Sequence, residues 1–303
     1  MFGRRGIRDA GVALPVIIVP RSALEAEEDY RVPCAVVDFV NHALQHAMFK
    51  REELPPEAMQ AFHVDYYIAQ VNNGGHSQFA HNSHWHDYVI ADIRAGLQAN
   101  GCVEAQELFE DLCSFAEREP GQFMQGMEAA GFGSYPEFFK QLDKVFHAGL
   151  NKSLTKANRD WIASLDCLVV LDDQPYREAM QGLATRNPLH RERAEEARQR
   201  AHDSLMEDPI FRACQYVGAM SPEPVQIARW LSARPAEGPE GIRGQVIIAE
   251  QEDGRLAHVY LFPSVALVLD PYTREPQQAL PMDLVQQWVH QHTGQYLPKE
   301  LWR

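Results

Sequence analysis

A chain of 303 residues with 45% hydrophobic and 23% charged content is long enough to bury a full core, and roughly 100–200 residues per domain predicts two domains. Its 42 acidic side chains against 28 basic ones give a net charge of −14, which argues against direct nucleic-acid binding, where Lys and Arg must neutralise phosphates, and suits a basic protein partner. No apolar run approaches the roughly 18 residues that would span a bilayer, so no membrane partner is expected.

Residues 1–32 read as a loose arm with a short strand at Pro15 to Val19 and an acidic stretch from Glu25 to Asp29. Pro15 and Pro20 interrupt the apolar run from Val12, and no small-residue cleavage site follows, so no signal peptide is expected. Cys34, Cys102, Cys113, Cys167 and Cys214 are odd in number and form no C-x-x-C pair, as for buried thiols in a reducing cytoplasm. Ala35 to Met48 predicts a helix whose Val36, Phe39, Val40, Ala43 and Leu44 line one face.

Pro56 is well placed at the first position of the next helix. Phe62, Tyr66, Ala69 and Asn73, like Val64, Tyr67, Ile68 and Val71, recur at three- and four-residue steps, giving a wide apolar stripe. Asn72, Asn73, Gly74 and Gly75 are then expected to end the helix, because Gly tolerates the left-handed backbone of a C-terminus. Ser77, Gln78 and Asn82 are suited to tying the backbone groups of that turn, and Phe79 to plugging the core.

The string Val71-Asn72-Asn73-Gly74-Gly75-His76-Ser77-Gln78-Phe79, preceded by Tyr67 and followed by Asn82-Ser83, resembles the bacterial DNA-mimic protein family over roughly Pro33 to Lys152. The resemblance implies a helical domain that presents carboxylates in place of DNA phosphates and so occupies a DNA-binding protein. His76 stands where family members usually carry an aromatic residue, and His81 where another is common.

Trp85 to Gln98 predicts a further helix ended by Asn100-Gly101, and Val103 to Glu119 the clearest amphipathic helix of the chain. Ala105, Leu108, Phe109, Leu112 and Phe115 fill one side; Glu104, Glu107, Glu110, Asp111 and Glu117 fill the other and are the candidate partner-binding residues. Carboxylates at i, i+3 and i+4 lie about 5–6 Å apart, near the roughly 7 Å between phosphates along a strand. Residues 101–150 hold nine carboxylates (Glu104, Glu107, Glu110, Asp111, Glu117, Glu119, Glu128, Glu137 and Asp143) against three bases, Arg118, Lys140 and Lys144. Helices are expected over Gly121 to Ala130 and Tyr135 to Phe146, with Gly131 to Ser134 as a flexible link.

Asn158 to Leu171 suits either a helix, favoured through Leu165, or a buried strand. Pro188 to Met206 alternates charges as a solvated helix would, and reads as a connector within residues 153–206. Residues 207–303 predict a small α+β domain, with strands Gln245 to Glu250, His258 to Phe262 and Val265 to Leu269, then a helix from Pro281 to His292 capped by Gly294. The fold class is thus mainly α with a small α+β C-terminal unit.

No phosphate loop, nucleophile elbow or dinucleotide fingerprint is present. The resemblance, taken with the acidic face of the 103–119 helix, implies an acidic, non-enzymatic binding module without a cofactor, its partner a basic DNA-binding or toxin-like protein. Two alternatives stand beside it. His76, His81, His84 and His86 supply imidazoles for a metal site or metal-dependent hydrolase, although no H-E-x-x-H frame holds them. The C-terminal hairpin suits an immunity-type or structural module, or an edge for homodimerisation.

Overall fold

A computed structural model describes residues 13–131, 136–221, 224–237, 241–269 and 276–302. The chain divides between Arg193 and Ala194 into two compact units, mainly α in the first and α+β in the second.

The first unit opens on strand β1, Ile17–Pro20, which pairs in parallel with β2, Leu168–Leu171, placing Ile17 opposite Leu168. Ile17, Ile18 and Val19 are buried, so this stretch of the expected loose arm is a core element. Burial of such side chains stabilises by about 1.5–3 kcal/mol each, which an arm in water forgoes. Short helix α1, Arg21–Glu25, follows, and α2, Arg31–Asn41, continues as one wide turn through His46. Val36, Phe39, Val40 and Ala43 form its buried face, as their spacing predicts.

Helix α3 runs Pro56–Asn82 with Pro56 at its first position. Its start, through Ala58, Met59 and Ala61, enters a core built on Ile17, Val19, Phe39, Val40 and Ile162. Its later turns, through Val64, Tyr67, Val71 and Phe79, enter a second core with Ile93, Leu97, Phe109, Leu112, Phe139 and Phe146. Around α3 stand α4, Asp87–Asn100, α5, Val103–Arg118, α6, Pro120–Ala129, α7, Glu137–Val145, and α8, Asn151–Ala163. Gly101, at φ 70°, ends α4, and Pro120 begins α6. The flexible link read at Gly131 to Ser134 falls, after Gly131, outside the described residues.

The ambiguous run from Asn158 resolves into both of its readings: α8 ends at Ala163 and β2 begins at Leu168. Helices α9, Asp173–Gln181, and α10, Leu183–Arg186, lead to α11, His190–Glu207, which buries no residue.

In the second unit, α12, Pro209–Ala219, starts where the Asp208 carboxylate accepts the N–H groups of Ile210 at 2.7 Å and Phe211 at 3.2 Å. An antiparallel meander follows: β3, Ile227–Glu237, β4, Arg243–Gln251, β5, Leu256–Leu261, β6, Val265–Leu269, and β7, Pro276–Pro281, in that order across the sheet. Helix α13, Met282–Thr293, ends at Gly294, φ 70°. Val217 of α12 and Val285 and Val289 of α13 share one core with Ile247, Val259 and Val268 of the sheet. Strands β3 and β7 add to the three expected from alternation.

Candidate functional site

The glycine pair in α3 bends the helix rather than ending it. Gly74 lies at φ −156°, ψ 25° and Gly75 at φ 75°, ψ −177°, after which helical backbone resumes to Asn82, correcting the expected termination to a kink. A break frees backbone donors that a buried helix must satisfy elsewhere. Here Asp143, 67 residues further on in α7, supplies the acceptor: its Oδ1 takes the His76 backbone N–H at 2.7 Å. The same oxygen meets His76 Nδ1 at 2.7 Å, and the Tyr67 hydroxyl meets Nε2 at 2.8 Å. A Cβ on Gly75 would lie 2.4 Å from Asp143 Oδ2, and its backbone angles are open essentially to glycine alone.

Tyr67 and His76 are both closed to solvent. Burial lowers the His76 imidazole below its ordinary value despite the opposing pull of Asp143, so the ring is neutral at pH 7. Burial alone would raise the Asp143 carboxyl, but the hydrogen bonds from the His76 ring and backbone outweigh it and hold it below the usual range. Burial, then the Asp143 charge, pushes the Tyr67 phenol well up. These directions select one proton arrangement: Nδ1–H donates to ionised Asp143, and Nε2 accepts from the Tyr67 hydroxyl. Tyr67 at one end is closed to solvent and Asp143 at the other is partly so, and the chain fixes geometry between them.

The remaining motif residues tie the kink to α6 and α8. Ser77 Oγ donates to the Gly126 carbonyl at 2.5 Å and accepts the Gly131 N–H at 2.9 Å. Gln78 and Asn82 both donate to Gln70 Oε1, at 3.0 and 2.6 Å. Asn72 Oδ1 accepts from Asn151 at 3.1 Å, while Asn73 is exposed. Phe79 meets Tyr67 and Phe109 edge to face at ring separations of 5.0 and 6.1 Å.

On α5 the expected carboxylates all face solvent. Glu104, Glu107 and Asp111 fall within an arc of about 60° on a helix wheel, and Glu110 and Glu117 form a second row beside them. Among the described residues Glu104, Glu107, Asp111 and Glu117 have no hydrogen-bond or ion-pair partner. Glu110 differs, since Arg94 of α4 grips it with two bonds of 2.7 and 2.9 Å. Arg118 closes the first row at its C-terminal end, its Nε donating to the Ser114 carbonyl. A groove of about 580 Å³ lies alongside, lined by Trp85, Asp87, Ile90, Arg94, Cys113 and Glu117. Asp143, counted with these carboxylates in the sequence, belongs to the interior instead.

Residues 52–165 match the family model described as DMP19-like protein. The DMP19-like match contains both the kink and α5, and it supports the resemblance to the DNA-mimic family. It covers under half of the chain and does not extend into the second unit. No curated protein and no solved structure matches the chain.

Within the DMP19-like region, the four histidines of the metal reading divide: His76 is inside the core, while His81, His84 and His86 are exposed, the His81 and His84 rings 6.4 Å apart. Both ring nitrogens of His76 are committed inside the core, and His81 Nδ1 lies 2.9 Å from the Met127 carbonyl. His84 and His86 are exposed neighbours with rings 5.8 Å apart. Among the described residues no group of three or more His, Cys, Asp or Glu side chains could hold a metal ion.

Three acidic residues matter that the sequence does not single out. Asp143 holds the kink. Asp92 of α4 joins Arg51 at 2.6 Å to the buried His63 ring at 2.6 Å, and the Arg51 guanidinium lies 4.9 Å from the Tyr88 ring. Asp65 of α3 stands alone, its carboxyl pushed up to about 6 by burial. It lines a recess with Tyr30, Cys34, Ile68, Asn72 and Lys152. Cys34, expected to be buried, is exposed there, whereas Cys102, Cys113 and Cys214 are buried. A lone carboxylate on a helix carries no sequence signal of this kind, because it depends on which neighbours the fold withholds. No helix among the described residues is long and apolar enough to cross a membrane.

Proposed function

We propose that this protein is a non-enzymatic acidic binding module whose α5 face imitates DNA phosphates and occupies the DNA-contacting surface of a basic protein. The observation that carries the proposal is the set of exposed carboxylates, Glu104, Glu107, Asp111 and Glu117, left without ion-pair partners among the described residues. A surface helix that needed only solubility gains from interspersed cations, as at Arg198 and Glu195 of α11. Here the charges accumulate with Arg118 as the one cation of their row, and the net charge of −14 adds to their field. The DMP19-like match over the same residues supports the reading. Mechanism is electrostatic complementarity: Lys and Arg side chains of the partner replace DNA phosphates with these carboxylates, giving fast and salt-sensitive association.

The test is competition with DNA. A basic DNA-binding protein recovered from the native host with this chain as bait should be displaced by duplex DNA and should dissociate as salt rises. Reversing Glu104, Glu107, Asp111 and Glu117 to Lys should abolish its capture. Capture that survives the reversal, or that ignores both DNA and salt, would overturn the proposal.

A further inference from the structure

A recess of about 500 Å³ in the first unit gathers residues from α2, α3 and α8 and from the segment before α2. Asp65, Ile68, Ala69 and Asn72 come from α3, Asn151, Lys152 and Thr155 from α8, and Cys34 from α2. Its feature of interest is Asp65. Among the described residues the Asp65 carboxylate has neither a hydrogen-bond nor an ion-pair partner, although it is only partly open to water.

We propose that this recess binds a guanidinium or primary ammonium group on a short aliphatic stem, with Asp65 as its counter-ion. The other charged groups of the recess leave that position open. Asp29 is held at 3.7 Å by Arg159, and Lys152 is not within ion-pairing distance of Asp65. Ile68 and Ala69 offer apolar surface to a stem, while the amide oxygen of Asn72 and the hydroxyl of Thr155 add acceptors around the charge.

The alternatives are poorer fits. An anion would face Asp65 directly. A divalent cation would find too few ligands, since no metal-holding group exists among the described residues. A neutral apolar ligand would leave the carboxylate buried and unpaired, which costs more than the contacts return. A cation relieves that cost, and burial raises the Asp65 carboxyl in the direction expected of a carboxylate lacking one. The field is felt next door: burial first, then Asp65 and Asp38, raise the Cys34 thiol against the smaller lowering by Arg31. These residues are separate from the α5 face, so the two proposals stand or fall independently.

The experiment titrates the full chain, by calorimetry and NMR, with butylguanidinium and with the peptide acetyl-Gly-Arg-Gly-amide. Butylurea and the citrulline peptide serve as neutral controls. Saturable millimolar binding of a cation is expected, weakened about tenfold or more in Asp65→Asn and unchanged when Glu104, Glu107 and Asp111 are reversed. Binding of the free cation alone assigns a small ligand, and binding of the peptide assigns a protein side chain. Neutral analogues that bind equally, binding unaffected by Asp65→Asn, or no saturable binding of either cation would overturn the inference.

Cys34 gives a second readout from inside the recess. A cationic methanethiosulfonate should modify it faster than an anionic one, butylguanidinium should protect it, and Asp65→Asn should bring the two rates together. An unaltered rate ratio in Asp65→Asn would overturn the inference.

Discussion

The kink of α3 and the outer face of α5 both depend on acidic residues, and they treat them in opposite ways. Asp143 is largely withdrawn from water and accepts two hydrogen bonds from His76. Glu104, Glu107, Asp111 and Glu117 keep their water and are given no protein partner among the described residues. A buried charge is costly unless it is paired, and the pairing in the first arrangement specifies one backbone path. An exposed charge adds little to stability and is free to meet a partner. The most distinctive sequence string of the chain therefore builds the scaffold, and ordinary-looking glutamates on the adjoining helix supply the candidate interface.

The sharpest way to break that contrast is to open the interior. His76→Ala should cost roughly 3–5 kcal/mol, because it leaves a cavity, strands the Tyr67 hydroxyl and removes the ring's hydrogen bond to Asp143 while the backbone one remains. Gly75→Ala should cost roughly 2–4 kcal/mol, since its Cβ would meet Asp143 at 2.4 Å from a backbone region open to glycine. Amide exchange of α3 and α7 locates the loss within the first unit. If either variant exchanges like the parent, the kink is not held by this contact.

Acid should act on the same site. The folded His76 value lies below the ordinary 6.5, so the unfolded chain takes up its proton first. The contribution of His76 is therefore complete above pH 6.5 and is lost as pH falls towards the folded value. Asp143, also lowered, adds a further loss below its ordinary 3.8. Asp65 has the opposite sign: its folded value of about 6 exceeds the ordinary 3.8, so its ionisation destabilises the fold as pH rises through that window. Asp65→Asn should accordingly stabilise at pH 7 by about 1–2 kcal/mol, less than the full shift because water still reaches the group, and by nothing below about pH 4. Denaturation of both proteins across pH 4 to 7 reads the difference.

How much of this was legible depended on the range of the interactions. The helical faces of α2 and α5 follow from local spacing, as does the Val64, Tyr67, Ile68 and Val71 row of α3, whereas Ala69 and Asn73 of its second expected row are exposed. The match between Val36, Phe39 and Val40 and the observed core needs no distant information. The pairing of β1 with β2 joins Ile17 to Leu168, and two short apolar runs that far apart carry no mark of one another. Strand β3 was hidden differently: it alternates only loosely, contains Pro235, and shifts register twice against β4. Asn72 to Gly75 is visibly a break in the sequence. That the helix resumes depends on Asp143, which reads as one more surface acid until α7 is placed beside the kink. The same holds for Asp92, whose partners Arg51 and His63 come from outside its helix.

The smallest expected effects are the most informative about the surface. Glu107→Gln and Glu110→Gln are the same chemical change on one helix, both at exposed positions. Glu107 lies one turn from Glu104 and from Asp111, so neutralising it relieves like-charge repulsion and should stabilise by roughly 0.2–0.5 kcal/mol. Glu110 is gripped by Arg94, with side chains 52% and 43% exposed, so its neutralisation should cost roughly 0.2–1 kcal/mol in low salt. Raising salt should shrink both effects towards zero. The signs must differ if the face is assembled for recognition, because residues selected for stability would not stand unpaired beside their own kind. Equal signs at low salt, measured by denaturation in parallel, would mean that α5 is a conventional solvated helix and that its carboxylates owe nothing to a partner.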